Sequence, residues 1–138
     1  MRLRTIMTRD PMMLAPDDSV EQVWELFRQH GFHHLLVAEH RRLVGVISDR
    51  DLLRNISPFL DKLSERAQDR ATLNRRVHQI MTRKPVTAPP DIDSREAARL
   101  MLEHAVSCLP IVENERAVGI VTSRDVLADA AGNRRPAA

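Results

Sequence analysis

Two aspartates stand three residues after a hydroxyl residue in matching contexts: Ser48-Asp49-Arg50-Asp51 and Thr122-Ser123-Arg124-Asp125. A carboxylate such as Asp51 or Asp125 accepts two hydrogen bonds side by side, which suits the vicinal hydroxyls of a sugar. A helix opening at Ser48 or Thr122 presents free N–H groups to an anion, and the two hydroxyls add to that set. Arg50 and Arg124 carry planar forks that match a phosphate. The same spacing also makes an ordinary helix N-cap with an acidic third residue, and the arginines also suit surface ion pairs.

The elements that must position these residues recur. Ile6-Met7-Thr8-Arg9 returns as Ile80-Met81-Thr82-Arg83, Pro16-Asp17 as Pro90-Asp91, Val44-Gly45 as Val118-Gly119 and Arg50-Asp51 as Arg124-Asp125. The offset is 74 throughout, and 17 of the 49 positions from 6 to 54 are identical in the second copy. Constant register over that length marks an internal repeat.

Each copy predicts the order β-α-β-β-α. Met12 to Ala15 forms a short apolar run between prolines, with Val86-Thr87-Ala88 as its equivalent. Ser19 and Gln22 have capping-box spacing, and Val20, Val23, Trp24 and Phe27 make one apolar stripe closed by Gly31. In the second copy Asp93 is the expected cap, Glu96 its box partner, and Ala97, Ala98, Leu100 and Met101 the stripe. Leu35 to Ala38 and Leu43 to Ile47 read as strands around a polar turn, as do Leu109 to Val112 and Ala117 to Val121. The boundaries drawn from the repeat are a first unit at 1–55, a polar connector at 56–79, a second unit at 80–131 and a frayed tail at 132–138. Within the connector, Leu60 to Ala71 is expected to form an exposed helix.

The doubled Ile-Met-Thr-Arg-x-Pro, each followed by a helix, two strands and Gly-apolar-apolar-Ser/Thr-x-x-Asp, resembles a tandem CBS-domain pair, or Bateman module. The resemblance covers most of the chain. It implies an α/β (α+β) fold of two βαββα CBS units packed about a pseudo-two-fold axis, with clefts between them that hold AMP, ADP or ATP. S-adenosylmethionine or NAD is the alternative ligand, and a ligand-free dimerisation or scaffold role the alternative function. By this resemblance Val46 and Ile120 wall the adenine, and Thr8 and Thr82 lie near the same clefts. Met12 and Met13 are expected to face the site of Asp125, and Val86 and Thr87 the site of Asp51. His33 and His34 match positions of phosphate-contacting basic residues, whereas the second copy has Ser107 and Cys108, so the two sites should differ. The resemblance further implies a regulatory module rather than an enzyme, a homodimer, no catalytic cofactor, and a separate effector protein.

Composition narrows the rivals. Hydrophobic residues are 43% and charged residues 29%, as in a globular domain. No apolar run reaches membrane-spanning length, and no secretory signal follows Met1, so a cytoplasmic location is expected. One cysteine, Cys108, forms no intrachain disulfide or zinc cluster and is expected to be buried. Phosphate-binding loops, dinucleotide fingerprints and zinc-protease motifs are absent. The arginine excess suggests nucleic acid, but acidic residues are interspersed and aromatics are 3%, too few for base stacking. Adjacent His33 and His34 point to opposite faces of a strand, which disfavours their sharing a metal ion.

Overall fold

The computed structural model describes residues 1–133. The chain divides into two compact units, and the division does not follow the repeat. One unit gathers Met13–Glu39 and Val44–Arg83. The other gathers Met1–Met12, His40–Leu43 and the chain from Lys84 on. They are called here the Asp51 unit and the Asp125 unit.

The Asp51 unit is built on a four-stranded sheet in the order β2-β3-β4-β5. Strand β2 (Met13–Leu14) runs parallel to β3 (His34–Glu39), and β5 (Thr82–Arg83) runs antiparallel to β4 (Arg42–Ser48). Helix α2 (Val20–His30) starts where sequence predicts. The Ser19 hydroxyl accepts from the Gln22 N–H while the Gln22 side chain accepts from the Ser19 N–H, and Gly31 ends the helix at φ 63°. Its stripe packs Val20 and Val23 into a core with Leu35, Val37 and Ile47, flanked by Trp24 and Phe27. Helix α3 (Asp49–Asn55) follows β4 directly.

The Asp125 unit has a three-stranded sheet, β1-β7-β6, made of β1 (Thr8–Arg9), β6 (Cys108–Glu113) and β7 (Arg116–Thr122). Helix α1 (Leu3–Ile6) precedes β1, α6 (Ser94–His104) precedes β6, and α7 (Ser123–Ala130) follows β7. Leu3, Met7, Ala97, Met101, Leu109, Ile111 and Val121 form its core. Asp93 caps α6 by accepting from the Arg95 N–H, but Glu96 is not its box partner: its carboxylate pairs with Arg99 at 3.3 Å, one helical turn on.

Three expectations change. The run Val86 to Ala88 is not a strand. Only Ala88 bridges to Ile111, because Pro85, Pro89 and Pro90 around it offer no N–H to a ladder. The connector is not an exposed helix from Leu60 to Ala71. Asp61 sits at φ 56°, which stops a right-handed helix, and only α4 (Ala67–Arg70) and a 3₁₀ turn at Ala71–Asn74 form. Leu60 and Leu73 are buried in the core of the Asp51 unit, so the segment is part of that unit. Helix α5 (Val77–Ile80) then leads into β5. At the C-terminus, the N–H groups of Gly132 and Asn133 bond to Asp129 and Ala128, so these two are held; residues 134–138 of the expected frayed tail lie outside the described residues.

Candidate functional site

In each unit the aspartate is fixed by its helix start. The Ser48 N–H donates to Asp51 Oδ2 at 3.0 Å, and the Asp51 N–H returns a bond to the Ser48 hydroxyl at 3.1 Å. In the Asp125 unit the Thr122 N–H donates to Asp125 Oδ2 at 2.8 Å and Asp125 N–H to Thr122 Oγ1 at 3.3 Å. The Thr122 hydroxyl adds a bond to the same Oδ2 at 3.1 Å. Both are capping boxes, and both leave Oδ1 without a hydrogen bond among the described residues. The carboxylates thus hold the helix with one oxygen and leave the other open.

The strand partners line up beside them. Thr82 lies directly opposite Val46 in the antiparallel pair β5–β4, and Thr8 directly opposite Ile120 in β1–β7. Opposed residues share a face of the sheet, and the face returns every second residue, at Ser48 and Thr122. Each unit therefore carries a row: Thr82, Val46, Ser48, Asp51 in one and Thr8, Ile120, Thr122, Asp125 in the other. Val46 and Ile120 are half-buried and stand outside the core clusters, so their apolar surface is not used up by packing.

The glycine of each motif explains the methionine of the other. A Cβ on Gly45 would stand 2.6 Å from Met81 Sδ and 2.9 Å from the Thr82 carbonyl oxygen. A Cβ on Gly119 would meet Met7 Sδ at 2.6 Å and the Thr8 carbonyl oxygen at 2.9 Å. The Met-Thr pair thus lies flat on the strand that carries Gly-apolar-apolar-Ser/Thr, and only glycine admits it. The repeated Met and Gly were visible in the sequence; that each serves a strand of the other copy was not.

The histidines differ in role. His33 Nδ1 lies 2.9 Å from Asp49 Oδ2, and the His33 carbonyl accepts the Asp49 N–H at 3.0 Å. Burial penalises the Asp49 charge, but hydrogen bonds from His33 and the Arg50 N–H outweigh it and hold the carboxyl below its usual range. Burial pushes the His34 imidazole down, partly opposed by the negative charges of Asp49 and Asp51. In the Asp125 unit Ser107 and Cys108 replace them. Cys108 is buried opposite Thr122, and its thiol is pushed up to about 12, first by burial and then by the negative charge of Asp125. Arg50 and Arg124 are exposed, and among the described residues neither pairs with a carboxylate. Among the described residues no three His, Cys, Asp or Glu side chains gather as a metal site, and no described helix is long and apolar enough to cross a membrane.

Comparison with known families settles what this duplicated row belongs to. A profile of the CBS domain matches residues 3–58 and again 77–132. The chain belongs to the CBS domain family. An inosine-5'-monophosphate dehydrogenase of Korarchaeum cryptofilum is 33% identical over 91% of this chain, but this chain spans only 23% of that enzyme. The crystal structure of CBSX2 in complex with AMP is 28% identical with a TM-score of 0.78, covering 97% of this chain and 98% of the other. The CBS domain pair of protein MJ0100, in complex with 5'-methylthioadenosine and S-adenosyl-L-methionine, is 26% identical with a TM-score of 0.78, covering 96% and 97%.

Within this CBS pair the remaining expected site residues fall as follows. Met12 is exposed and belongs to the Asp125 unit, while Met13 pairs with Leu36 in the Asp51 unit. Val86 packs against the core of the Asp125 unit, and Thr87 is exposed in that same unit. So Met13, Val86 and Thr87 do not share a compact unit with the aspartate to which the resemblance assigned them.

Proposed function

We propose that this CBS pair is a regulatory module that binds an adenosine nucleotide (AMP, ADP or ATP) at two sites centred on Asp51 and Asp125. The observation that carries the reading is the row built twice: two hydroxyls, an apolar residue outside the core, and a carboxylate with Oδ1 open. The carboxylate accepts the ribose hydroxyls, Val46 or Ile120 lies against the base, and Arg50 or Arg124 meets phosphate. AMP in CBSX2 and the adenosyl ligands of the MJ0100 pair support this ligand class. Regulation follows if the ligand prefers one of two conformations, whose change is passed to an effector protein.

A second reading has its own observation. Ser48–Asp51 and Thr122–Asp125 are complete capping boxes, so the motif has a structural role even with no ligand, as a scaffold module requires. Titration calorimetry with AMP, ADP, ATP, S-adenosylmethionine and NAD separates the two: saturable binding supports the sensor, and no heat from any of them supports the scaffold. The module is further proposed to homodimerise through exposed apolar surface. Leu53 and Leu127 occupy equivalent repeat positions and are both exposed. Light scattering should report a dimer that Leu53→Lys/Leu127→Lys dissociates; a monomeric parent protein refutes this.

A further inference from the structure

We propose that both sites take adenosyl ligands but rank them by charge: the Asp125 site favours a phosphorylated ligand, and the Asp51 site favours one without an anionic tail. This rests on the reading that both aspartates hold ribose. The first residue of each helix sits in the same backbone arrangement: the Asp49 N–H bonds to the His33 carbonyl at 3.0 Å, and the Ser123 N–H to the Ser107 carbonyl at 2.8 Å. What differs is the side chain placed there. In the Asp51 unit it is a carboxylate; in the Asp125 unit it is an exposed hydroxyl.

The neighbours sharpen the contrast. Arg50 and Arg124 occupy equivalent repeat positions and are both exposed, so they do not distinguish the sites. Once Asp51 and Asp125 are assigned to ribose, the Asp125 site offers phosphate one guanidinium and the Ser123 hydroxyl, because the Thr122 hydroxyl is donated to Asp125 Oδ2. The Asp51 site offers one guanidinium and the Ser48 hydroxyl, which only accepts from the Asp51 N–H, and both are offset by the Asp49 carboxylate. The His33 ring, the basic group there by sequence, is turned to Asp49 at 2.9 Å and engaged with it. The hydrogen bonds that hold the Asp49 carboxyl below its usual range keep it charged at neutral pH. His34, the other imidazole of this site, is biased by burial to its neutral form. A phosphate beside Asp49 meets like charge, whereas an uncharged or cationic 5′ substituent does not.

The test uses AMP and 5′-methylthioadenosine, which share the adenosine and differ in charge, in calorimetry on the full chain. Asp51→Ala leaves the Asp125 site, and Asp125→Ala leaves the Asp51 site; Asp→Asn versions, which keep a cap acceptor, replace either if it fails to fold. At the Asp125 site AMP should bind about ten-fold or more tighter than the thioether; at the Asp51 site that preference should vanish or reverse. Asp49→Ser in the Asp125→Ala protein should restore about ten-fold in the AMP to thioether ratio, and Ser123→Asp in the Asp51→Ala protein should remove it. Equal ratios at the two sites, or ratios unmoved by Asp49→Ser, overturn the charge division while leaving adenosyl binding intact. Failure of the unmutated protein to bind either compound overturns the proposed function and this inference with it.

Discussion

Gly45 and Gly119 show how much one missing Cβ decides. Both lie inside strands, where glycine weakens the ladder, yet each is where a Met sulfur and the following Thr carbonyl come within 3 Å of a would-be Cβ. Thr82 and Thr8 take their place on the site face through that approach. Gly45→Ala should therefore lower stability by ~1–3 kcal/mol, because the Thr82 carbonyl cannot move as a flexible side-chain tip could. Chemical denaturation of the variant checks this, and an unchanged midpoint would show that the strand yields freely. At this scale the sequence was legible where spacing alone sets geometry. Ser48–Asp51, Thr122–Asp125 and Ser19–Gln22 all form the boxes their spacing predicts. It was not legible that Asp49 would clasp His33 or that Cys108 would face Thr122, since both depend on strand pairing.

At the scale of elements, the parts that escaped sequence reading are short. Strands β1 and β5 have two residues each, too few to show alternation, and helices α1 and α5 have four. Their meaning lies in what they attach to. The Leu3 and Arg4 N–H groups bond to the Ile92 and Pro90 carbonyls, and in the other unit Val77 and His78 bond to Asp18 and Pro16 in the same way. The connector reads as exposed because the segment around Leu60 and Leu73 is mostly polar, although both are core residues. The β3–β4 turn was placed correctly as polar, but His40 and Arg41 both adopt positive φ without the Asn-Gly signal that normally announces it. The test at this scale is Leu3→Ala. Leu3 lies in the first copy by sequence but in the core of the Asp125 unit by packing. The substitution should remove ~2–5 kcal/mol from that unit. Hydrogen exchange should then show lost protection in Cys108–Thr122 and retained protection in His34–Ser48; the opposite pattern would contradict the division described here.

Over the whole molecule, duplication supplies two candidate sites from one motif, and they diverge at a few positions, Asp49 against Ser123 and His33-His34 against Ser107-Cys108. The fold class and family were legible because the doubled motif keeps constant register, and the profile match to both segments bears that out. Which side chains stand together was legible only within a motif. The pairing of Thr82 with Val46 and of Thr8 with Ile120 joins residues 36 and 112 positions apart, and only the folded chain brings them side by side. The central claim is that Asp51 and Asp125 are ligand-binding groups as well as helix caps. The most direct test is titration of AMP into the unmutated protein, each single Asp→Ala variant and the double variant, at a temperature where circular dichroism shows all four folded. The account predicts saturable binding that falls at least about ten-fold at one site in each single variant and disappears in the double variant. Undiminished affinity in the folded double variant would contradict it and leave both aspartates as caps alone.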